Sequence, residues 1–176
     1  MNFSGKIQSK KQEKLKKAKQ QIPGEELSLI RNMIYQKFLE IIKKKKECPF
    51  CEINKKFIIK ENKTAYLTLA RAPYTKNHLL VIPKRHITQF HELKKREKSD
   101  LLDLMIYSLD RIRKKYPAIE TIYKEGEIIS AHKTIPHSHI HLIPMKKSSK
   151  AKKDMRILLD EKELEKGIKD IRKLFR

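Results

Sequence analysis

Three of the chain's seven histidines fall at every second position in "HSHIHLIP", residues 137–144. Side chains at i, i+2 and i+4 of a β-strand point to one face. His137, His139 and His141 therefore line up, with about 7 Å from one to the next. Ile140 and Leu142 then point to the other face, into a core, and Pro144 ends the strand. Such a strand has one wet, reactive face and one greasy face. A lone histidine there would ordinarily be structural. Three in register, opposite an apolar face, point to chemistry, because imidazole is a proton carrier, a nucleophile and a metal ligand near neutral pH.

The rest of the chain supplies a frame for this strand. Residues 1–22 are rich in Lys and Gln and read as a basic flexible arm. Over 23–46, Leu27, Ile30, Ile34, Phe38, Ile41 and Ile42 recur at three- and four-residue steps. That spacing predicts an amphipathic helix packed on the domain, with Pro23 at its opening. "FIIKEN" (57–62) and "TAYLTLA" (64–70) read as a strand pair turning at Asn62-Lys63, and "HLLVIP" (78–83) as a buried strand. Residues 98–116 predict a helix capped by Ser99, with Leu101, Met105, Leu109 and Ile112 on one face. "TIYKEG" (121–126) reads as a further strand, and Gly126 as a turn or close-approach position. Residues 147–176 comprise a basic linker and a closing helix, whose start is marked by Asp160-x-x-Glu163. This order predicts one α+β domain built on an antiparallel sheet.

Lys and Arg total 43 against 21 acidic residues, a net charge of +22 spread along the whole chain. Such a field attracts phosphates, nucleic acid or anionic surfaces, although charge runs are also commonly solvated helix faces. The 39% hydrophobic content is low for a compact globule but too high for a disordered chain. No apolar run reaches signal-peptide or membrane-span length, so a cytoplasmic protein with no membrane partner is expected. Two cysteines, Cys48 and Cys51, are too few for a disulfide framework. Their C-x-x-C spacing suggests zinc or redox chemistry. "KKKKECPFCEIN" lacks the apolar strand that should precede a thioredoxin-like redox pair. A tetrahedral zinc site needs two further ligands, for which His78, His86, His91, His132 and the histidine row are available.

Taken together, "CPFCEI", "HLLVIPKRHITQFHEL" and "HSHIHLIP", in that order, resemble the histidine triad (HIT) superfamily over residues 47–146, and its zinc-binding bacterial and archaeal type in particular. The resemblance implies an HIT-like α+β fold with a five-stranded antiparallel sheet and flanking helices, often paired as a homodimer. It implies that His139 is a nucleophile attacking the α-phosphate of a nucleotide, its other ring nitrogen held by a backbone carbonyl. His141 would contact the phosphate, Thr134 would stand near the scissile phosphate, and His78 would back the triad. It also implies a closed, structural zinc site made by Cys48, Cys51, His86 and His137. Phe50 and Ile53 match positions that wall the family's base pocket, or they are simply core.

Departures from the family pattern bear on the substrate. Ala70 stands where many members hold the ribose with an acid. Lys124 replaces an Asn, and Lys133-Thr134 replaces a Gln-Ser or Gln-Thr pair, so charge is added beside the expected phosphate site. The implied activity is hydrolysis or transfer at a nucleoside phosphoanhydride or phosphoramidate, such as a dinucleoside polyphosphate, through a nucleotidyl-histidine. Two alternatives are an aprataxin-like deadenylase or nucleic-acid-binding protein, and a non-catalytic nucleotide-binding scaffold.

Overall fold

The computed structural model describes residues 24–45, 47–126, 133–146 and 158–176. The basic arm 1–22, Pro23, His132 and the whole 147–157 linker lie outside them. The first element is helix α1, Gly24–Lys45. Five strands follow: β1, Ile58–Glu61; β2, Ala65–Leu69; β3, Leu79–Pro83; β4, Ala118–Tyr123; and β5, Ile140–Met145. Helix α2, Lys95–Arg113, links β3 to β4, and helix α3, Glu161–Arg172, closes the chain. The strands form one antiparallel sheet in the order β1-β2-β3-β5-β4. The expected α+β architecture and five-stranded sheet are both present.

Alternation along the strands splits the sheet into two faces. Leu67, Leu69, Leu79, Val81, Ile140 and Leu142 pack with Leu101, Leu104 and Ile112 of α2 and with Leu164, Ile168 and Ile171 of α3. Tyr66, Ala70, Leu80 and Ile82 form a smaller cluster on the other face, joined by Phe50 and Ile53. Gly167 lets α3 approach closely, because a Cβ there would stand 2.8 Å from Leu69 Cδ2.

Local signals explain most element ends. Asn62 Oδ1 accepts from the N–H groups of Thr64 (3.2 Å) and Ala65 (2.9 Å), closing the β1–β2 hairpin at its predicted place. Asp160 and Glu163 exchange reciprocal side-chain-to-backbone bonds at the start of α3, the expected capping box. Gly126 adopts φ +95° just past β4.

Five expectations need correction. Helix α2 starts at Lys95 and not after Ser99, because Glu97 accepts the Lys94 N–H at 2.8 Å and so satisfies the helix start one turn earlier. Its most buried face runs through Leu101, Leu104, Ser108 and Ile112, leaving Met105 and Leu109 partly covered. Strand β4 begins at Ala118, directly after Pro117, and ends before Lys124. Pro144 lies inside β5; β3 pairing has already stopped at Leu142, so one flank there carries no ladder. On α1, Ile34 and Ile41 are exposed, while Tyr35 is buried and Phe38 and Ile42 are half-buried. The buried stripe is thus rotated by about one residue from the predicted one.

One ion pair ties the end of β3 to α2. Arg85 Nε and Nη2 donate to the two carboxylate oxygens of Glu97 at 2.8 and 2.7 Å, and Nη2 also reaches the Glu92 carbonyl. The guanidinium, more than any other group, holds the Glu97 carboxyl at about 2, against an ordinary 4.5. A lowered folded-state value means stability that is complete above pH 4.5 and is lost as pH falls toward 2. Glu97→Gln should therefore lower the urea midpoint at neutral pH, with the gap to wild type closing as the titration approaches pH 2. A gap independent of pH would refute this.

Candidate active site and metal centre

The histidine row does not begin on a strand. His137 sits in a bend, residues 138–139 are irregular, and the ladder starts at Ile140. The Ser138 N–H donates to the Ile87 carbonyl at 2.8 Å, which draws this stretch toward the segment after β3. The three rings still follow one another. His139 and His141 have ring centroids 4.6 Å apart, whereas His137 turns toward His86 at 4.8 Å.

His137 is 1% exposed, and its partners assign its tautomer. Nε2 lies 3.0 Å from the Pro83 carbonyl, which only accepts, so Nε2 carries the hydrogen. Nδ1 is left with a lone pair, 3.3 Å from Cys48 Sγ and 3.6 Å from Cys51 Sγ. His86 Nδ1 stands 3.3 Å from Cys51 Sγ. All four ligand atoms lie within 4.8 Å of one another. A zinc tetrahedron with these donors has edges of about 3.3–3.8 Å, so the donor set and spacing fit a metal ion. Burial, above all, pushes the His137 ring down to about 4, keeping it neutral and ready to ligate. Burial and the neighbouring Cys48 push the Cys51 thiol up to about 11, the response of two crowded sulfurs that a bound cation would reverse.

A second relay runs through the other two rings. His139 Nδ1 faces the His137 carbonyl at 2.7 Å, so Nδ1 carries the hydrogen and Nε2 keeps the lone pair. The backbone N–H of Tyr74 donates to His78 Nδ1 at 3.1 Å, which places the hydrogen of His78 on Nε2. That nitrogen lies 2.9 Å from His141 Nδ1. His141 Nδ1 must then accept, and its Nε2–H is left as a donor. One ring of the pair presents a lone pair and its neighbour presents a proton. The Tyr74 ring stacks on His78 at 5.0 Å and 15°, clamping this arrangement from the loop before β3.

A cavity of about 240 Å³ opens beside the pair, walled by Phe50, Ile53, Leu80, Ile135, Phe38 and Arg71. Phe50 touches His139 edge-on at 5.0 Å, and Leu80 pairs with His141 across the sheet. Phe50 and Ile53 line this cavity and also pack on the smaller cluster. Thr134 is half-buried and receives the Tyr35 hydroxyl at 3.3 Å. Lys124 directly follows β4, whose last paired residue, Tyr123, stands opposite Ile140. Lys133 is buried, and its ammonium donates one bond to the Thr88 carbonyl at 2.8 Å. Ala70 is buried in the smaller cluster and offers no carboxylate.

Residues 52–148 match the HIT domain family. The chain belongs to the HIT family. This HIT protein is 34% identical over 106 residues to adenosine 5'-monophosphoramidase hnt1 of Schizosaccharomyces pombe, covering 55% of this chain and 73% of that one. It is 30% identical over 83 residues to the asymmetrical bis(5'-nucleosyl)-tetraphosphatase of the same organism, covering 47% of this chain and 46% of that enzyme. Its fold superposes on a Zn-bound histidine triad family protein from Mycobacterium smegmatis with a TM-score of 0.58, at 20% identity, covering 73% and 95% of the two chains.

Sequence reasoning did not assign Tyr35, Phe38, Arg71 or Tyr74 to the candidate site, which the structure places beside Thr134, the cavity and His78. Tyr35 and Phe38 lie one turn apart on α1, a helix expected only to cover the domain. Their aromatic character was the available signal, and only the packing of α1 tells which way they point. Arg71 and Phe38 meet at the cavity rim, with the guanidinium 5.3 Å from the ring centre.

If the four-residue cluster holds a structural ion, purified protein should contain about one zinc per chain. Cys48→Ser or His86→Ala should remove most of it and lower the melting temperature by several degrees. Metal analysis with a thermal melt checks both, and metal-free wild-type protein would overturn the assignment.

Proposed function

We propose that this HIT protein is a nucleotide hydrolase or transferase. It would cleave at the α-phosphate of a nucleoside phosphoramidate or phosphoanhydride, dinucleoside polyphosphates included, through a nucleotidyl-His139 intermediate. The observation that carries the reading is the complementary pair of tautomers. His139 Nε2 offers an unprotonated nitrogen because His137 O takes the Nδ1–H at 2.7 Å, and His141 offers a proton because His78 donates to its Nδ1 at 2.9 Å. The apolar cavity beside Phe50 suits a nucleobase. The names of the two yeast relatives, a phosphoramidase and a tetraphosphatase, support the same substrate class.

In the first half-reaction His139 Nε2 attacks the α-phosphorus. A P–N bond to the ring forms, and the P–N or P–O bond to the leaving group breaks with its electron pair going to that group, a phosphoramidate nitrogen taking a proton from solvent as it leaves. The ring, now cationic, is stabilised by its Nδ1–H bond to the His137 carbonyl. His141 Nε2–H donates to a non-bridging phosphate oxygen, where negative charge accumulates. Thr134 is suited to the leaving-group side. Water then attacks the same phosphorus, the P–N bond to His139 breaks, and the water's proton passes to solvent. The product is a nucleoside monophosphate, or an adduct when another acceptor replaces water.

Zinc in the Cys48–Cys51–His86–His137 cluster would be structural, since all four of its positions are taken by the protein. It would pin the N-terminal segment to the residue whose carbonyl holds His139. Phe38 and Arg71 would close the base pocket from α1 and from the β2–β3 loop.

His139→Ala should lower kcat/KM for adenosine 5'-phosphoramidate or a dinucleoside polyphosphate by at least about a thousandfold. Wild-type protein quenched in alkali should carry a nucleotidyl adduct that the variant lacks. Wild-type turnover by His139→Ala would sink the reading. Phe38→Ala should raise KM about five- to tenfold with little change in kcat, the loss of one apolar wall. A change in kcat alone would remove Phe38 from the binding surface.

A further inference from the structure

A second, larger cleft of about 570 Å³ shares no lining residue with the cavity beside His139. It is lined by Lys76, Arg113, Lys114, Lys115 and Lys146, set around Tyr116 and Pro117. The five cations come from three separate stretches: the loop before β3, the end of α2, and the residue following β5. Among the described residues no carboxylate lines the cleft. Asp110 stands 3.8 Å from the Arg113 guanidinium, and Asp170, paired with Lys173 at 3.2 Å, is also within electrostatic reach of Lys76.

The negative end of the α2 dipole accounts for Arg113, Lys114 and Lys115 gathering at its C-terminus. It does not account for Lys76 and Lys146, which the fold brings to the same cleft from other elements. Their placement is built in. Asn77, at φ 64°, donates from Nδ2 to the Tyr116 hydroxyl at 2.7 Å, tying the loop that carries Lys76 to the cleft floor. Thr75 Oγ1 donates to the Pro144 carbonyl at 3.0 Å, tying the same loop to the end of β5 just before Lys146. Five like charges held around one concavity repel one another, and a chain of phosphates relieves that repulsion.

We propose that this cleft binds the sugar–phosphate backbone of a single-stranded nucleic acid. A concave, cation-lined groove tracks one flexible backbone, whereas a rigid duplex lies across a surface and would meet only the rim. The overall charge of +22 draws the strand in, and the cleft is where it seats. The loop that carries Lys76 also carries Tyr74, which stacks on His78. The binding claim does not depend on the reaction proposed there.

The test is fluorescence anisotropy of a labelled 12-nucleotide single strand across a salt series. It compares the full chain with Lys76→Ser/Lys114→Ser/Lys115→Ser and with a charge-matched control, Lys162→Ser/Lys166→Ser/Lys169→Ser, on the exposed side of α3. The cleft variant should bind at least about tenfold more weakly than the control, and its log–log salt slope should fall by about 2, the value for three lost contacts to a single strand. Photo-crosslinking of the bound strand to wild type should map to residues 113–117. Equal weakening by both variants, or no binding by wild type at low salt, would overturn the proposal. Tighter binding of a matched duplex, or of inorganic polyphosphate at equal phosphate content, would overturn the choice of ligand. Retained turnover of a small nucleotide substrate by the cleft variant would show that the variant is folded, so a failure here and a failure of the reaction at His139 are read separately.

Discussion

His137 holds the two halves of the site together, although neither of its ring nitrogens takes part in the proposed reaction. Its Nε2–H is spent on the Pro83 carbonyl at the end of β3, and its Nδ1 lone pair faces both cysteine sulfurs. Its own carbonyl takes the Nδ1–H of His139 at 2.7 Å. One buried residue therefore joins the N-terminal segment, the strand end and the candidate nucleophile. With that carbonyl displaced, His139 would lose the partner that decides which of its nitrogens stays bare. Burial makes the arrangement sharp, because an unpaired polar group in this position would be costly.

A second chain of bonds sets the opposite polarity on the neighbouring ring. It starts from a backbone N–H, that of Tyr74, and passes through His78 to His141. Two backbone groups, a carbonyl and an amide, thus give the adjacent imidazoles opposite tautomers. This is a preorganised arrangement: the loop 71–77 is clipped to β5 by Thr75 and to the end of α2 through Asn77 and Tyr116. The Arg85–Glu97 pair performs the same service next to His86, fixing the β3 exit that delivers this candidate metal ligand.

The flanking segments contribute more than cover. α1 brings Tyr35 to Thr134 and Phe38 to the cavity wall, while α3 adds Leu164 beside them. Both helices lie outside the stretch that matches the HIT domain, residues 52–148. The exposed Met33, Ile34 and Ile41 on the far side of α1 show that its orientation follows from those aromatic contacts and not from apolar periodicity alone.

Much of the site was legible because it rests on residues close in sequence with strong local signals. The C-x-x-C pair, the Asn62 turn, the Asp160–Glu163 box and the alternation Ile140/Leu142 all involve spacings of four residues or fewer. The chemistry of His139 and His141 was legible as residue type, but their polarity was not. The His139 tautomer follows from the His137 carbonyl two residues away, whereas those of His137 and His141 depend on Pro83 and His78, which β3 and the residue before it bring to them. Charge in a sequence likewise does not say that the Lys133 ammonium meets the Thr88 carbonyl. By itself, then, the sequence determined the sheet, the donor set for a metal and the imidazoles available for reaction, since these follow from side-chain chemistry and short-range periodicity. Only the tertiary structure decided which nitrogen of His137 and of His141 carries the hydrogen, which lysines converge on a cleft and which way α1 faces, because each depends on groups tens of residues apart meeting at hydrogen-bond or van der Waals distance.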